Sequence, residues 1–134
     1  MAKIARTPFN AARWLTKDVS SDTKITDRLT GYCLFVAAND EEVTLTVDYV
    51  SQGCYMKIIL AENSLQNINI VLPAMEGVAI YDDGSVSVLS LGDTGETTLT
   101  LPSSASAGSY VDLICDGKKW YIQAMAHGVA WSQS

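Results

Sequence analysis

His127 is the only histidine in the chain, so any mechanism needing an imidazole base or a Ser-His-Asp set must run through it. It lies in AMAHGVAWS near the C-terminus, whose composition predicts an exposed or interfacial segment. Asp82 and Asp83 are adjacent carboxylates, but neighbours on a strand point to opposite faces, and at a turn tip both are solvated. No D-x-[DN]-x-[DN]-G pattern surrounds them to build a calcium loop. Cys33, Cys54 and Cys115 are far apart and lack C-x-x-C spacing. Each sits in an apolar stretch (GYCLFVAA, GCYMKIIL, VDLICDG), which predicts buried, reduced thiols in a reducing compartment. A three-cysteine metal site would need the fold to bring them together. The glycines form neither G-x-G-x-x-G nor a Walker loop. Tyr49, Tyr55, Tyr81, Tyr110, Trp120 and Tyr121 could assemble a sugar platform, although packing in the core or between subunits is the commoner use of such residues. This inventory predicts a non-enzyme without cofactor or metal.

The elements that must position these residues read as β throughout. GYCLFVAA is an apolar run ending at Asn39-Asp40, a turn signal. Val43, Leu45 and Val47 alternate with Thr44 and Thr46, the period of a half-buried strand. Strands follow at Tyr55 to Leu60 and Ile68 to Leu72. Segments 78–81 and 86–89 flank Asp82-Asp83-Gly84-Ser85, and 111–115 and 120–124 flank Asp116-Gly117-Lys118-Lys119; both linkers carry the Asp-Gly hairpin signal. With Thr97 to Leu101, the pattern predicts an all-β domain of about nine short strands, a compact antiparallel sandwich, roll or small barrel.

The chain also repeats itself. Residues 43–59, VTLTVDYVSQGCYMKII, and 97–114, TTLTLPSSASAGSYVDLI, share one pattern with a single insertion. Leu45 matches Leu99, Gly53 matches Gly108, Tyr55 matches Tyr110 and Ile59 matches Ile114. Two copies of a strand–loop–strand unit predict a compact body built by stacking similar elements.

At 134 residues the chain is one domain with room for a hydrophobic core. No apolar run approaches the ~18 residues of a membrane span. The N-terminus lacks the apolar core of a secretory signal, and Asp18, Asp22 and Asp27 follow too soon for a matrix-targeting peptide. Residues 1–28 hold six basic and three acidic side chains, net +3, whereas the remainder holds three and twelve, net −9. An acidic body repels nucleic acid, but a basic arm can lie on an acidic protein surface, including that of a neighbouring copy. A solvated tail is the plainer alternative. The expected organisation is an extended basic arm at 1–28, a β-domain at 29–128 holding both repeat units, and a tail at 129–134. Within the arm, Phe9 to Leu15 predicts a short helical turn with Asn10 as N-cap, its apolar anchors docking on another protein or folding back.

TTLTLPSSASAGSYVDLICDGKKWYIQAMAHG resembles a module common in structural proteins of tailed bacteriophages: a strand, an "LP" loop at Leu101-Pro102, a glycine opening the next strand at Gly108, an Asp-Gly hairpin at 116–117, then Trp120-Tyr121. The likeness covers residues 95–128, and 30–128 with the weaker first copy. The module occurs in head-decoration (cement) proteins and in fibre proteins. A short basic arm before one compact β-body is similar to the decoration proteins. That resemblance implies a virion protein, made in the host cytoplasm, that stabilises the head by bridging neighbouring major capsid subunits, without direct contact to nucleic acid or membrane. It further implies a homotrimer, with Arg6, Phe9, Arg13, Trp14 and Leu15 binding the capsid and Val129 and Trp131 at the oligomer interface. The alternative is a tail-fibre, head-fibre or spike component that binds a host receptor or glycan.

Overall fold

A computed structural model describes residues 15–134, so Arg6, Phe9, Arg13, Trp14 and the Asn10 cap lie outside the described residues. Twelve strands follow in chain order: β1 (Leu15–Val19), β2 (Thr23–Ile25), β3 (Tyr32–Val36), β4 (Val43–Val47), β5 (Tyr55–Leu60), β6 (Ile68–Val71), β7 (Met75–Asp82), β8 (Val86–Leu91), β9 (Thr98–Leu101), β10 (Tyr110–Cys115), β11 (Trp120–His127) and β12 (Ser132–Gln133). They form two open sheets packed as a sandwich, in the orders β1-β3-β5-β10-β11-β7-β8 and β12-β9-β6-β4-β2. The all-β sandwich expected from the alternation is therefore present. Neither sheet closes into a barrel.

The expectation of antiparallel sheets needs correcting: both are mixed. From β1 to β6 the chain alternates between the sheets, so strands adjacent in sequence never pair. The next strand in the same sheet runs the same way, making β1, β3 and β5 parallel in one sheet and β2, β4 and β6 parallel in the other. Only β7–β8 and β10–β11 are hairpins between consecutive strands, and they enclose the two Asp-Gly turns. In the first, Gly84 takes φ 124° and donates its N–H to Asp82 Oδ1 at 3.1 Å.

The internal repeat becomes a local two-fold. The first copy runs from β4 to β5 and the second from β9 to β10. Strand β5 pairs antiparallel with β10, with Tyr55 opposite Ile114, Lys57 opposite Asp112 and Ile59 opposite Tyr110. Exchanging the copies maps each of these pairs onto another, so the axis passes through Lys57–Asp112. Hydrogen bonds obey it too: Gly53 N–H reaches Cys115 O at 2.9 Å, and Gly108 N–H reaches Leu60 O at 2.8 Å. Both glycines take positive φ, 85° and 92°, which an L side chain resists. In the other sheet, Leu45 and Leu99 flank Ile70 in one row.

Period-2 burial builds the core. Leu45, Ile70 and Leu99 face Leu34, Ile58, Leu113, Trp120 and Ile122 across the sandwich, all but Ile58 essentially inaccessible. The Trp120 indole N–H donates to Tyr49 O at 2.9 Å, and the Tyr49 ring meets Trp120 edge-on at 5.6 Å.

Both expected boundaries of the β-domain shift outward, toward the chain termini. Residues 15–25 belong to the body and not to an arm ending at 28: β1 and β2 extend the two sheets, and Asp22 accepts the Thr44 N–H at 2.8 Å. Short polar-rich strands at a sheet edge carry little apolar alternation, which is why their sequence reads as coil. The C-terminus is likewise no tail. Strand β12 pairs with β9, and the Gln133 side chain donates to Ser90 O at 2.7 Å and accepts from Gly92 N at 3.0 Å, tying the two sheets together. Trp131, expected to be exposed at an oligomer contact, is 4 % exposed and donates its indole N–H to Ile80 O at 3.2 Å. Val129 is half-buried against the same core.

Two outcomes follow from this packing. Trp131→Ala should cost about 3–5 kcal/mol, as for other buried aromatic truncations, read as a lowered denaturant midpoint. Burial, with smaller contributions from Cys54, Asp27 and Cys115, pushes the Tyr49 hydroxyl up to about 12. An unfolded tyrosine ionises near 10, so this contribution to stability is intact below pH ~10 and is lost as pH rises from there through the folded value. Tyr49→Phe should therefore show a shallower fall of thermal midpoint between pH ~10 and ~12 than the parent protein.

Candidate functional site

The sequence candidates for chemistry do not converge. His127 ends β11 on the outer face of the seven-stranded sheet, its ring largely exposed with Nδ1 3.8 Å from Asp82 Oδ2. Its backbone N–H donates to Ser109 Oγ at 3.2 Å, and that hydroxyl donates to Ser106 O at 2.8 Å, so the serine serves backbone structure. Cys54 and Cys115 lie side by side where β5 meets β10, on the inward side of the sheet. Cys33 lies opposite Lys57, whose side chain projects outward. The sheet itself separates Cys33 from the other two thiols. Among the described residues no group of three metal-ligating side chains occurs, and the three cysteines are free.

What the fold does assemble is a wide apolar face on the outside of the seven-stranded sheet. Register places Phe35, Ile59, Tyr110, Met125, Ile80 and Val88 in one row that crosses six adjacent strands, from β3 to β8. Met125, Ile80 and Val88 are 47, 39 and 64 % exposed. A second row, Tyr55–Ile114–Tyr121, lies four residues along β10. Between the rows run Lys57, Asp112, Gln123 and Val78. The second row and this polar strip border a shallow depression of about 500 Å³.

Two lysines on this face are ion-paired. Lys57 Nζ is 3.5 Å from Asp112 Oδ1 and 4.5 Å from the centre of the Tyr110 ring. Lys119 is ion-paired with Glu76 and stands 5.7 Å over the Tyr121 ring. Asp116 accepts the Lys118 and Lys119 N–H groups at 2.8 and 2.9 Å, which, with Lys119 the larger contributor, holds its carboxyl below the usual range. Burial first, and the Asp116 charge second, push the Tyr121 hydroxyl up. Surface pairs of this kind add little stability, and the same face carries further carboxylates at Asp18, Asp82 and Asp116.

Of the residues expected to bind partners, Leu15 alone is both described and exposed, at the start of edge strand β1. The apolar row was not anticipated. Its signal lies in the outward positions of YVDLIC, VAIY and VSVL, where valine, isoleucine and tyrosine stand where a solvated face would carry polar residues. Comparison of the chain with protein-family models, curated proteins and solved structures finds no match.

Cysteine accessibility tests this arrangement. Burial raises the Cys33 thiol, with Lys57 pulling it down and Asp112 pushing it up to smaller degrees. In the native protein at neutral pH, alkylation should reach half-buried Cys54 first and reach Cys33 and Cys115 only after denaturant is added, as read by mass spectrometry of modified peptides.

Proposed function

We propose that this protein is a structural component of a virion, a capsid decoration (cement) protein that binds the outer surface of a phage head and bridges neighbouring major capsid subunits. The observation that carries the reading is a rigid two-sheet body with a broad apolar outer face, joined at edge strand β1 to a segment of opposite charge. Residues 1–14 hold three basic side chains and no acid, and residues 15–134 are net −9. Opposite charge speeds encounter and sets register, and buried aromatic side chains supply most of the affinity. Arg6 and Arg13 serve the first role, Phe9, Trp14 and Leu15 the second. In this reading the protein is no enzyme, contacts no nucleic acid directly, and its copies associate as a homotrimer. Among the described residues no helix is long and apolar enough to cross a membrane.

The tyrosine-walled depression between Tyr55 and Tyr121 favours a second reading, a fibre or spike component that binds a host receptor or glycan. Copy number on purified particles separates the two: hundreds fit decoration, a handful fits a fibre.

Because β1 begins at Leu15, the informative truncation removes residues 2–14 and leaves both sheets intact. It should abolish retention on heads stripped of the native protein. Trp14→Ala should weaken retention more than Lys3→Ala, and added salt should weaken it only partly. Full retention of the truncated form overturns the role of this segment.

A further inference from the structure

On the outer face of the seven-stranded sheet, register lays side chains out as a grid of two rows across neighbouring strands. Tyr55, Ile114 and Tyr121 stand side by side on β5, β10 and β11, and two residues along the same strands stand Lys57, Asp112 and Gln123. The two tyrosines are separated by two strand spacings, about 10 Å, with Ile114 between them. The grid borders the depression of about 500 Å³, a volume within the ~300–1,000 Å³ of small-ligand sites. Its walls are held in place. The tip of the Tyr55 ring lies over Gly31, where a Cβ would stand 3.4 Å from the hydroxyl. Tyr121 donates its hydroxyl to Asp116 Oδ2 at 3.3 Å, and Lys119 Nζ stands 5.7 Å from its ring centre.

We propose that this depression binds a neutral saccharide. A pyranose has apolar C–H faces and a rim of hydroxyls, so it needs aromatic or aliphatic surface beside groups that donate and accept hydrogen bonds. The first row supplies the surface: Tyr55 and Tyr121 are both exposed, and the negative face of an aromatic ring attracts the polarised C–H groups of a sugar. The second row supplies the polar partners. Gln123 brings an amide donor and acceptor, Lys57 an ammonium with three donors, and Asp112 a second carboxylate oxygen beyond the one that meets Lys57 at 3.5 Å. The polar strip that divides the apolar surface thus becomes the part of the site that reads hydroxyls.

Charge sets the ligand class. Lys57 meets Asp112 and Lys119 meets Glu76, and the rest of the face adds carboxylates at Asp18, Asp82 and Asp116. That excess, on a body of net −9 over residues 15–134, repels an anionic sugar or a phosphate. A cationic ligand lying on the polar strip meets the Lys57 ammonium. A ligand without charge avoids both costs. This ligand class rests on the reading of the depression as a receptor or glycan site.

The test is a nuclear magnetic resonance titration of the isotope-labelled full chain with maltotriose, cellotriose, lactose and tri-N-acetylchitotriose. Each is taken to about 20 mM, which brackets a Kd on the order of 1 mM, as expected for a shallow site. At least one sugar should saturably shift the amides of residues 55–57, 112–114 and 121–123. Tyr55→Leu and Tyr121→Leu keep an apolar side chain on the strand and remove the ring, and each should weaken that binding at least about tenfold. If either variant misfolds, Gln123→Ala, which removes only an exposed amide, should still weaken it about threefold. No saturable shift with any of the four sugars overturns the proposal, as does binding that none of these variants weakens. Tighter binding of sialyllactose than of every neutral sugar overturns the neutral class. Adsorption of particles carrying Tyr121→Leu to host cells is scored separately. Adsorption lost while no sugar binds defeats the saccharide alone; sugar bound while adsorption is unchanged in the variant defeats the receptor reading alone.

Discussion

The pairing of β5 with β10 holds the molecule together. To one side lie β1 and β3; to the other, β11, β7 and β8. The matching joint in the smaller sheet is β6 with β9, which ties β4 and β2 to β12. The first joint pairs one strand from each copy of the internal repeat, the second pairs β9 of the repeat with β6 outside it, and in each the partners run antiparallel. Antiparallel pairing between two copies of one unit is what a local two-fold produces. It lets one short pattern supply both halves of the β5–β10 seam, with Gly53 and Gly108 making equivalent turns into it.

That construction leaves the two faces of the larger sheet with different fates. The inward face is sealed by Leu45, Ile70 and Leu99 from the opposite sheet and by Trp131, whose strand neighbour Gln133 bonds to the end of β8. Nothing in the described chain covers the outward face. Six strands brought into register turn isolated outward valines, isoleucines and tyrosines into one continuous row. A single exposed isoleucine needs no explanation, whereas a row of apolar side chains across six strands is the kind of surface on which interaction sites form.

Under the proposed function, that surface serves recognition. On it Lys57 is paired with Asp112 and Lys119 with Glu76, the histidine stands in solvent beside Asp82, and the Cys33 thiol is buried opposite Lys57. In that reading apolar area supplies affinity, and paired charges supply orientation. In the same reading, the basic residues of 1–14 supply an electrostatically distinct means of attachment.

Local chemistry made much of this legible in advance. Alternation in 43–47 and the two Asp-Gly turns depend on neighbours in sequence, so strand positions and both hairpins could be read directly. The repeat could be read as well, because equivalent glycines and apolar positions recur in order. Which strands pair could not be read, since parallel neighbours here are separated by an intervening strand in the other sheet, a choice made by packing and not by local propensity. The same holds for β1, β2 and β12, whose short polar sequences become strands because an edge is there to receive them, and for Trp131, whose burial depends on the distant carbonyl of Ile80. The candidate face belongs to this second class. Sequence determined the residue types on each strand, and only the tertiary register decided that their outward side chains would meet, because adjacency across a sheet is a property of pairing between residues far apart in the chain.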